Sequence, residues 1–167
     1  MSKPIDLVPC TRPDQLEQVA ALAERIWHEY FPAIISEDQI NYMVDTFQSL
    51  PAMKEQIARE QYTYYQIRQQ GALVGYVGLA NQPEVCFLSK FYLSKEARGD
   101  GLATPAFQAV CAVARQWGKK KVVLTCNKHN SHSLDVYKHW GFQITDAVVT
   151  QIGHGYVMDD YILEYTL

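Results

Sequence analysis

The sequence predicts an α/β protein with a mixed central sheet of about seven strands and helices on both faces. Two observations carry this. Short runs rich in Tyr, Val and Ile alternate with amphipathic stretches of helical period, in the order β-α-α-α-β-β-β-α-β-α-β-β. The middle of the chain, from Phe91 to Trp117, reads as a strand end, a glycine-bearing turn and a helix. The 167 residues suit a single domain, 1–167, with a sizeable core, and 48% hydrophobic content is ordinary for one.

Residues 5–8 form a short strand candidate ended by Pro9. Thr11-Arg12-Pro13-Asp14 supplies cap residues and an early proline, which open a helix with Leu16, Val19, Ala20, Ala23, Trp27 and Tyr30 on its buried stripe. Pro32 breaks it. Ser36-Glu37-Asp38-Gln39 is a capping box of the S-x-x-Q type, followed by Ile40, Met43, Val44 and Phe47 on one face. Pro51 starts a third, short helix. These helical pieces before the main sheet suit the wall of a substrate cleft. Residues 62–68 and 73–80 form a hairpin about Gln69-Gln70-Gly71-Ala72, with Gly71 as turn and Gly75 as an ordinary strand position. Residues 85–93 are the next strand. A helix follows with Ala103, Phe107, Val110, Ala114 and Trp117 on one face, ended by Gly118. Residues 121–126 are a buried strand, Asn130-Ser131 caps a helix to His139, and residues 142–152 and 156–165 close the chain as a hairpin.

The turn after Leu93 carries the chemistry. Successive backbone N–H groups of a glycine turn, joined by the unpaired donors and positive dipole end of a helix, make an anion site. Gly99 and Gly101 adopt positive φ at little cost, and Arg98 can add a bidentate phosphate contact. No Lys follows Gly101, which excludes a Walker A loop, and Thr104 stands where a dinucleotide fingerprint needs its third glycine. Pro105 must lie in the first helical turn, so the helix starts at Thr104–Pro105 with Thr104 as cap, or earlier.

The pattern R-x-x-G-x-A, Arg98 to Ala103, resembles the pyrophosphate loop of the GCN5-related N-acetyltransferases (GNAT). A second stretch is similar to the family's other signature, N-x-x-(A/S)-x-x-x-Y-x-x-x-G-F, through Asn130, Ser133, Tyr137, Gly141 and Phe142. The closing stretch 152–161 resembles, more loosely, a bacterial subgroup with relatives among polyamine acetyltransferases. The resemblance implies acetyl-CoA as cosubstrate and transfer of its acetyl group to a primary amine by direct attack in a ternary complex. It implies that the strands ending at Leu93 and near Cys126 diverge, so that the pantetheine arm pairs there like an extra strand. Phe91, Tyr92 and Leu93 would then bind through the main chain, with an N–H near Phe91 as oxyanion donor. Arg98, Gly99, Asp100, Gly101, Leu102, Ala103 and Thr104 would hold the pyrophosphate, and Asn130 with Ser133 would contact the pantetheine or diphosphate side. Tyr137 would be the general acid that protonates the departing thiolate. The bland alternative for Tyr137 is a core tyrosine whose hydroxyl is bonded to backbone.

The proton acceptor stays open. Many relatives carry a Glu two residues before the position of Phe91; here that residue is Ser89, followed by Lys90. Glu29, His28, Asp159, Asp160, His132 and a water chain are the candidates. Asp159 and Asp160 are strand neighbours, so only one of them can enter the cleft. Glu29, as base or amine binder, and Asp159, as amine binder, are the carboxylates expected at the amine, which makes a polyamine-like small molecule the first expectation. A peptide or protein amine, an amino acid, an aminoglycoside, and a non-catalytic acyl-CoA sensor are the alternatives.

A net charge of −3 gives no electrostatic case for nucleic acid or an anionic membrane. The first residues lack an apolar core of leader length, and Cys10, Cys86, Cys111 and Cys126 have no C-x-x-C spacing, which suits reduced thiols in the cytoplasm. Cys126, His129 and His132 are spaced C-x-x-H-x-x-H, but a fourth ligand has no obvious place, so no metal is expected. A homodimer is the family expectation.

Overall fold

The structure, a computed structural model, describes residues 4–167. Met1, Ser2 and Lys3, part of the stretch read above for a leader, lie outside the described residues. Seven strands form one sheet: β1 (Asp6–Pro9), β2 (Tyr62–Gln69), β3 (Ala72–Asn81), β4 (Val85–Leu93), β5 (Lys121–Asn127), β6 (Gln143–Gly153) and β7 (Tyr156–Thr166). Their order across the sheet is β1-β2-β3-β4-β5-β7-β6. Every neighbouring pair is antiparallel except β4 and β5, which are parallel and joined by a helical crossover. The helices are α1 (Pro13–Tyr30), α2 (Glu37–Met43), α3 (Leu50–Arg59), α4 (Ala103–Gln116) and α5 (Ser131–Trp140).

The sheet's alternation sorts the core into two layers. Ile67, Val77, Leu79, Leu88, Val122, Leu124 and Leu163 point to one face and meet Phe107 and Val110 of α4 and Leu134 of α5. Tyr64 and Tyr76 point to the other face and meet Leu16, Val19 and Ile26 of α1 and Met53 of α3. Trp27, Phe31, Ile40 and Met43 extend this second layer toward the β6–β7 hairpin.

Local signals explain most helix ends. The Gln15 side chain accepts from the N–H groups of Thr11 (2.8 Å) and Arg12 (2.9 Å), which closes the start of α1. The buried stripe of α1 includes Leu22 and Ile26, while Ala20 and Tyr30 are only half-buried. Ser36 Oγ accepts from the Gln39 N–H, but the Gln39 amide does not turn back to complete the box. It donates instead to the Val157 carbonyl on the hairpin (3.1 Å). Helix α2 widens into a π-helical turn, Val44–Gln48, before Ser49 caps α3. Helix α4 begins at Ala103, with Pro105 in its first turn, and Leu102 in the cap position offers no side-chain acceptor. Thr104 is therefore not the cap. Its hydroxyl accepts from Trp140 Nε1 (3.2 Å), binding α4 to α5.

Gly75 is more than an ordinary strand position. A Cβ there would run into the Tyr92 carbonyl oxygen and press on Leu93 Cδ2 at 3.0 Å. Only glycine lets β3 approach the end of β4 this closely.

Candidate active site

Strands β4 and β5 pair over Val85↔Lys121, Cys86↔Val122 and Phe87↔Val123 and then separate. The divergence begins at an irregularity in β4. Leu79 faces Leu88 and Gly78 faces Lys90, so Ser89 is an extra residue in the ladder with β3. Such a bulge bends its strand and increases the local twist. It also places two consecutive side chains on one face. Ser89 Oγ lies 2.7 Å from the Tyr62 hydroxyl, and Lys90 Nζ donates to the Tyr64 hydroxyl (2.5 Å). The split opens into a cavity of about 870 Å³, lined by β4 from Phe87 to Leu93, β5 from Leu124 to Asn127, and residues of every helix except the body of α4.

At one end of this cavity lies the glycine loop. Gly99 (φ +84°) and Gly101 (φ +75°) both need the left-handed region, and a Cβ on either would meet nothing within 4 Å. The glycines therefore serve backbone shape beside open space. The Asp100 N–H turns back to the Ala97 carbonyl (3.4 Å) and its side chain is exposed, so Asp100 does not line the cavity as expected. Gly99, Gly101, Leu102, Ala103 and Thr104 do line it. Their N–H groups find no backbone acceptor among the described residues, because they precede the first bonded turn of α4. Arg98 Nε donates to the Leu93 carbonyl (3.1 Å), and its Nη2 is buried without a partner among the described residues. Five open amides and an unspent guanidinium nitrogen suit a diphosphate, which fits coenzyme A.

Asn130 stands at the cap of α5 and accepts from the Ser133 N–H (3.4 Å). Its Oδ1 also accepts from the Tyr30 hydroxyl (2.6 Å), which lies 3.2 Å from Ser133 Oγ. The Arg98 guanidinium sits 5.1 Å from the Tyr30 ring centre. Tyr30 thus joins α1, α5 and the glycine loop.

Tyr137 lines the cavity from the α5 face. Its ring meets Trp140 (5.9 Å) and Phe142 (5.6 Å) edge-on. Burial keeps its hydroxyl protonated well past the ordinary tyrosine range, with Cys126 and Tyr30 nearby adding to the effect. Its ring packs against the core of the α4 and α5 face, as the core-tyrosine alternative expects, while its edge lines the cavity. Cys126 also lines the cavity, and burial pushes its thiol up to about 12, so it is a neutral thiol and a poor acyl acceptor.

The opposite wall holds two ionisable groups. Lys90 is 3% exposed, and its three donors go to the Phe47 carbonyl, Gln56 Oε1 (3.0 Å) and the Tyr64 hydroxyl. Burial pulls its ammonium down to about 7. Asp160 is 4% exposed and lines the cavity; burial, with Asp159 beside it, pushes its carboxyl up to about 6 against the pull of Lys128. Glu29 and Asp159 do not reach the cavity. Glu29 lies on the exposed face of α1, and Asp159, on the other face of β7 from Asp160, pairs with Lys128 (3.0 Å). Among the described residues no three His, Cys, Asp or Glu side chains gather as a metal would need.

Tyr30 and Lys90 were missed as site residues by the sequence. Tyr30 read as one more residue on a helix stripe. Strict alternation puts Lys90 on the face opposite Ser89, and only the bulge overrides it. Gly78, directly across from Lys90, was the available signal, since a glycine inside a strand often marks such a site.

A parallel pair opened by a bulge, with an anion loop at its end and a phenol lining the cavity, suits a transferase with a phosphate-bearing cosubstrate. The profile of the Acetyltransferase (GNAT) family matches residues 20–142, and the chain belongs to that family: it is an acetyl-CoA-dependent N-acetyltransferase. It is 27% identical over 148 residues to an uncharacterized N-acetyltransferase of Mycobacterium bovis, covering 88% of this chain and 94% of that one. It is 28% identical over 97 residues to the uncharacterized N-acetyltransferase YjgM of Escherichia coli, covering 56% and 58%. Its fold is similar to the PaiA N-acetyltransferase of Thermoplasma acidophilum, solved in complex with coenzyme A (TM-score 0.80, 17% identity, 98% and 99% covered). It is also similar to a GCN5-related N-acetyltransferase of Rhodopseudomonas palustris (TM-score 0.79, 13% identity, 100% and 97% covered).

Proposed function

We propose that this enzyme transfers the acetyl group of acetyl-CoA to the primary amine of a small molecule by direct attack. The observation that carries the reading is that Tyr137 lines the cavity from the α5 face, where burial favours its protonated form. The Arg98–Thr104 loop would bind the diphosphate, and the open edge of β4 at Phe91, Tyr92 and Leu93 would pair with the pantetheine amides. The amine nitrogen attacks the thioester carbon, and the C–S bond breaks with its electrons on sulfur. Tyr137 gives its proton to that sulfur and regains one from the acylated nitrogen. The neutral Cys126 supports attack by the amine itself over a covalent acyl-enzyme.

The polyamine expectation rested on several carboxylates bracketing the substrate; of those, Asp160 alone lines the cleft. A reducing cytoplasmic setting is supported by four free cysteines, three of them buried. A homodimer is supported by the largely exposed edge strand β6, where Ile144 and Val149 face solvent beside Val157 of β7.

The test is CoA release from acetyl-CoA across a panel of amines, with Tyr137→Phe alongside. Turnover that falls about 100-fold in the variant, with acetyl-CoA affinity kept, supports the reading. Acetyl-CoA binding without turnover on any amine would leave a binding module in its place.

A further inference from the structure

The cavity has two sides, set by the alternation of the strands. Tyr137 enters from the face of α4 and α5. Met158 and Asp160, two apart on β7, share the opposite face with Tyr92 and Lys90 of β4. On that opposite side the wall, among the described residues, carries no charge apart from Asp160 and Lys90: Phe31, Ile35, Met43 and Phe47 stand beside the neutral amides Gln39 and Gln56. Helix α2 closes over it, with the Tyr42 hydroxyl bonded to the Ile152 carbonyl and the Gln39 amide to Val157. Asp160 is the one acidic side chain among the described residues lining this side, and Lys90 is the one basic side chain.

We propose that the acceptor is a monoamine on an apolar body, whose ammonium is seated on Asp160, and that Asp160 takes its first proton. This rests on the acetyl-transfer reading above. The charges favour one ammonium and oppose a second. A second cationic group would find only uncharged side chains and the basic Lys90 on this side, with no carboxylate to receive it. Lys90 has no donor left for a substrate carboxylate either, since all three are spent on protein oxygens. The step balances. The ammonium gives one proton to Asp160, leaving a free amine, and its lone pair forms the C–N bond. The second proton leaves the acylated nitrogen through Tyr137 and ends on the CoA sulfur. Asp160 then returns its proton to solvent, for one proton released per turnover.

Several titratable groups surround Asp160. Asp159 is its neighbour on β7, and Cys126 and Lys128 flank its partner Asn127 on β5. Val148 faces it from β6. Tyr30 from α1, Lys90 from β4 and His132 and Tyr137 from α5 line the same cavity. Asp159 disfavours its charged form and Lys128 favours it.

The matched pair hexylamine and 1,6-diaminohexane tests the substrate class, with spermidine and 4-phenylbutylamine beside them. The expected result is kcat/KM about 10-fold or more higher for each monoamine than for its polycationic counterpart. Asp160→Asn should lower kcat/KM about 100-fold and remove the acid limb of the pH–rate curve, with acetyl-CoA affinity and the melting curve kept. A preference for the diamine or spermidine overturns the substrate class. Full activity with an intact acid limb in Asp160→Asn overturns the role of Asp160. If acetyl-CoA binds but every amine is silent, the acetyl-transfer reading falls and this proposal falls with it. A variant that fails to bind acetyl-CoA or to melt cooperatively is replaced by Asp160→Glu, for which a retained acid limb at a shifted pH supports the proposal and an unshifted one overturns it.

Discussion

The Tyr30 hydroxyl donates to Asn130 Oδ1 across 2.6 Å and ties the end of α1 to the cap of α5, a hundred residues further on. The same oxygen accepts from Ser133 N–H at the longer distance of 3.4 Å. The contact to Tyr30 is therefore the stronger of the two, and it fixes the Asn130 side chain beside the cavity. Tyr30→Phe keeps the ring under Arg98 and removes only the donor. It should cost about 0.5–1.5 kcal/mol of stability. Because Asn130 and Ser133 line the cavity, acetyl-CoA should also bind several-fold more weakly. Calorimetric titration and a melting curve check both; unchanged affinity would show that the clamp is structural only.

Arg98 does two jobs with different nitrogens. Nε holds the Leu93 carbonyl at the end of β4, while Nη2 is buried and unspent. Arg98→Ala should weaken acetyl-CoA binding about 10–100-fold, the worth of one or two charge-assisted bonds. Arg98→Lys restores the charge but not the planar fork that serves Leu93 and a phosphate together, so it should recover only part of the loss. Binding measured at two salt concentrations separates the contributions. The alanine variant should show the weaker salt dependence.

How much of this could be read in advance differs by element. The glycine loop and the Asn130–Phe142 stretch were legible because their chemistry is local: positive φ, a cap, a helix end. Strand β4 was placed to the residue, yet its bulge was not, because the ladder with β3 depends on partners that sequence order does not reveal. The failure at Lys90 follows from that one extra residue. Glu29 and Asp159 were drawn to the cleft by their charge alone. Which face of α1 or β7 looks into the cavity depends on how the hairpin and α2 close over it, through Tyr42 and Gln39. Alternation along β7 limits the pair to one, and the sequence reading favours Asp159 where the cavity is lined by Asp160.

Gly75 offers a test of the close approach between β3 and β4. The Cβ of an alanine would meet the Tyr92 carbonyl, Leu93 Cδ2 at 3.0 Å and Ile67 Cδ1 at 3.1 Å. The first contact is backbone, so the strand rather than a side chain must give way. Gly75→Ala should destabilise by about 1–3 kcal/mol, against a propensity gain that is smaller. Displacement of Tyr92 and Leu93 should also raise the Kd for acetyl-CoA. Urea denaturation gives the first number. A variant as stable as the wild type would mean that β4 tolerates the shift.

Lys90 makes the stability depend on pH with a definite sign. Its folded-state ammonium is pulled down to about 7 by burial, while in the unfolded chain it titrates near 10.5. Between those values the unfolded state binds the extra proton, so stability rises with pH across this window and the gain is absent below pH 7. Lys90→Met removes both the titration and three bonds, leaving the Phe47 carbonyl, Gln56 Oε1 and the Tyr64 hydroxyl each short of a donor. The loss of those bonds should cost about 1–3 kcal/mol. Comparing wild type and variant by urea denaturation at pH 6 and pH 9 checks the argument. The deficit of Lys90→Met should be larger at pH 9, where the wild type no longer buries a charge, than at pH 6, where it does. Equal deficits at both pH values would mean that Lys90 keeps its proton throughout, and that the Phe47 carbonyl and the two side chains around it stabilise the ammonium more than burial opposes it.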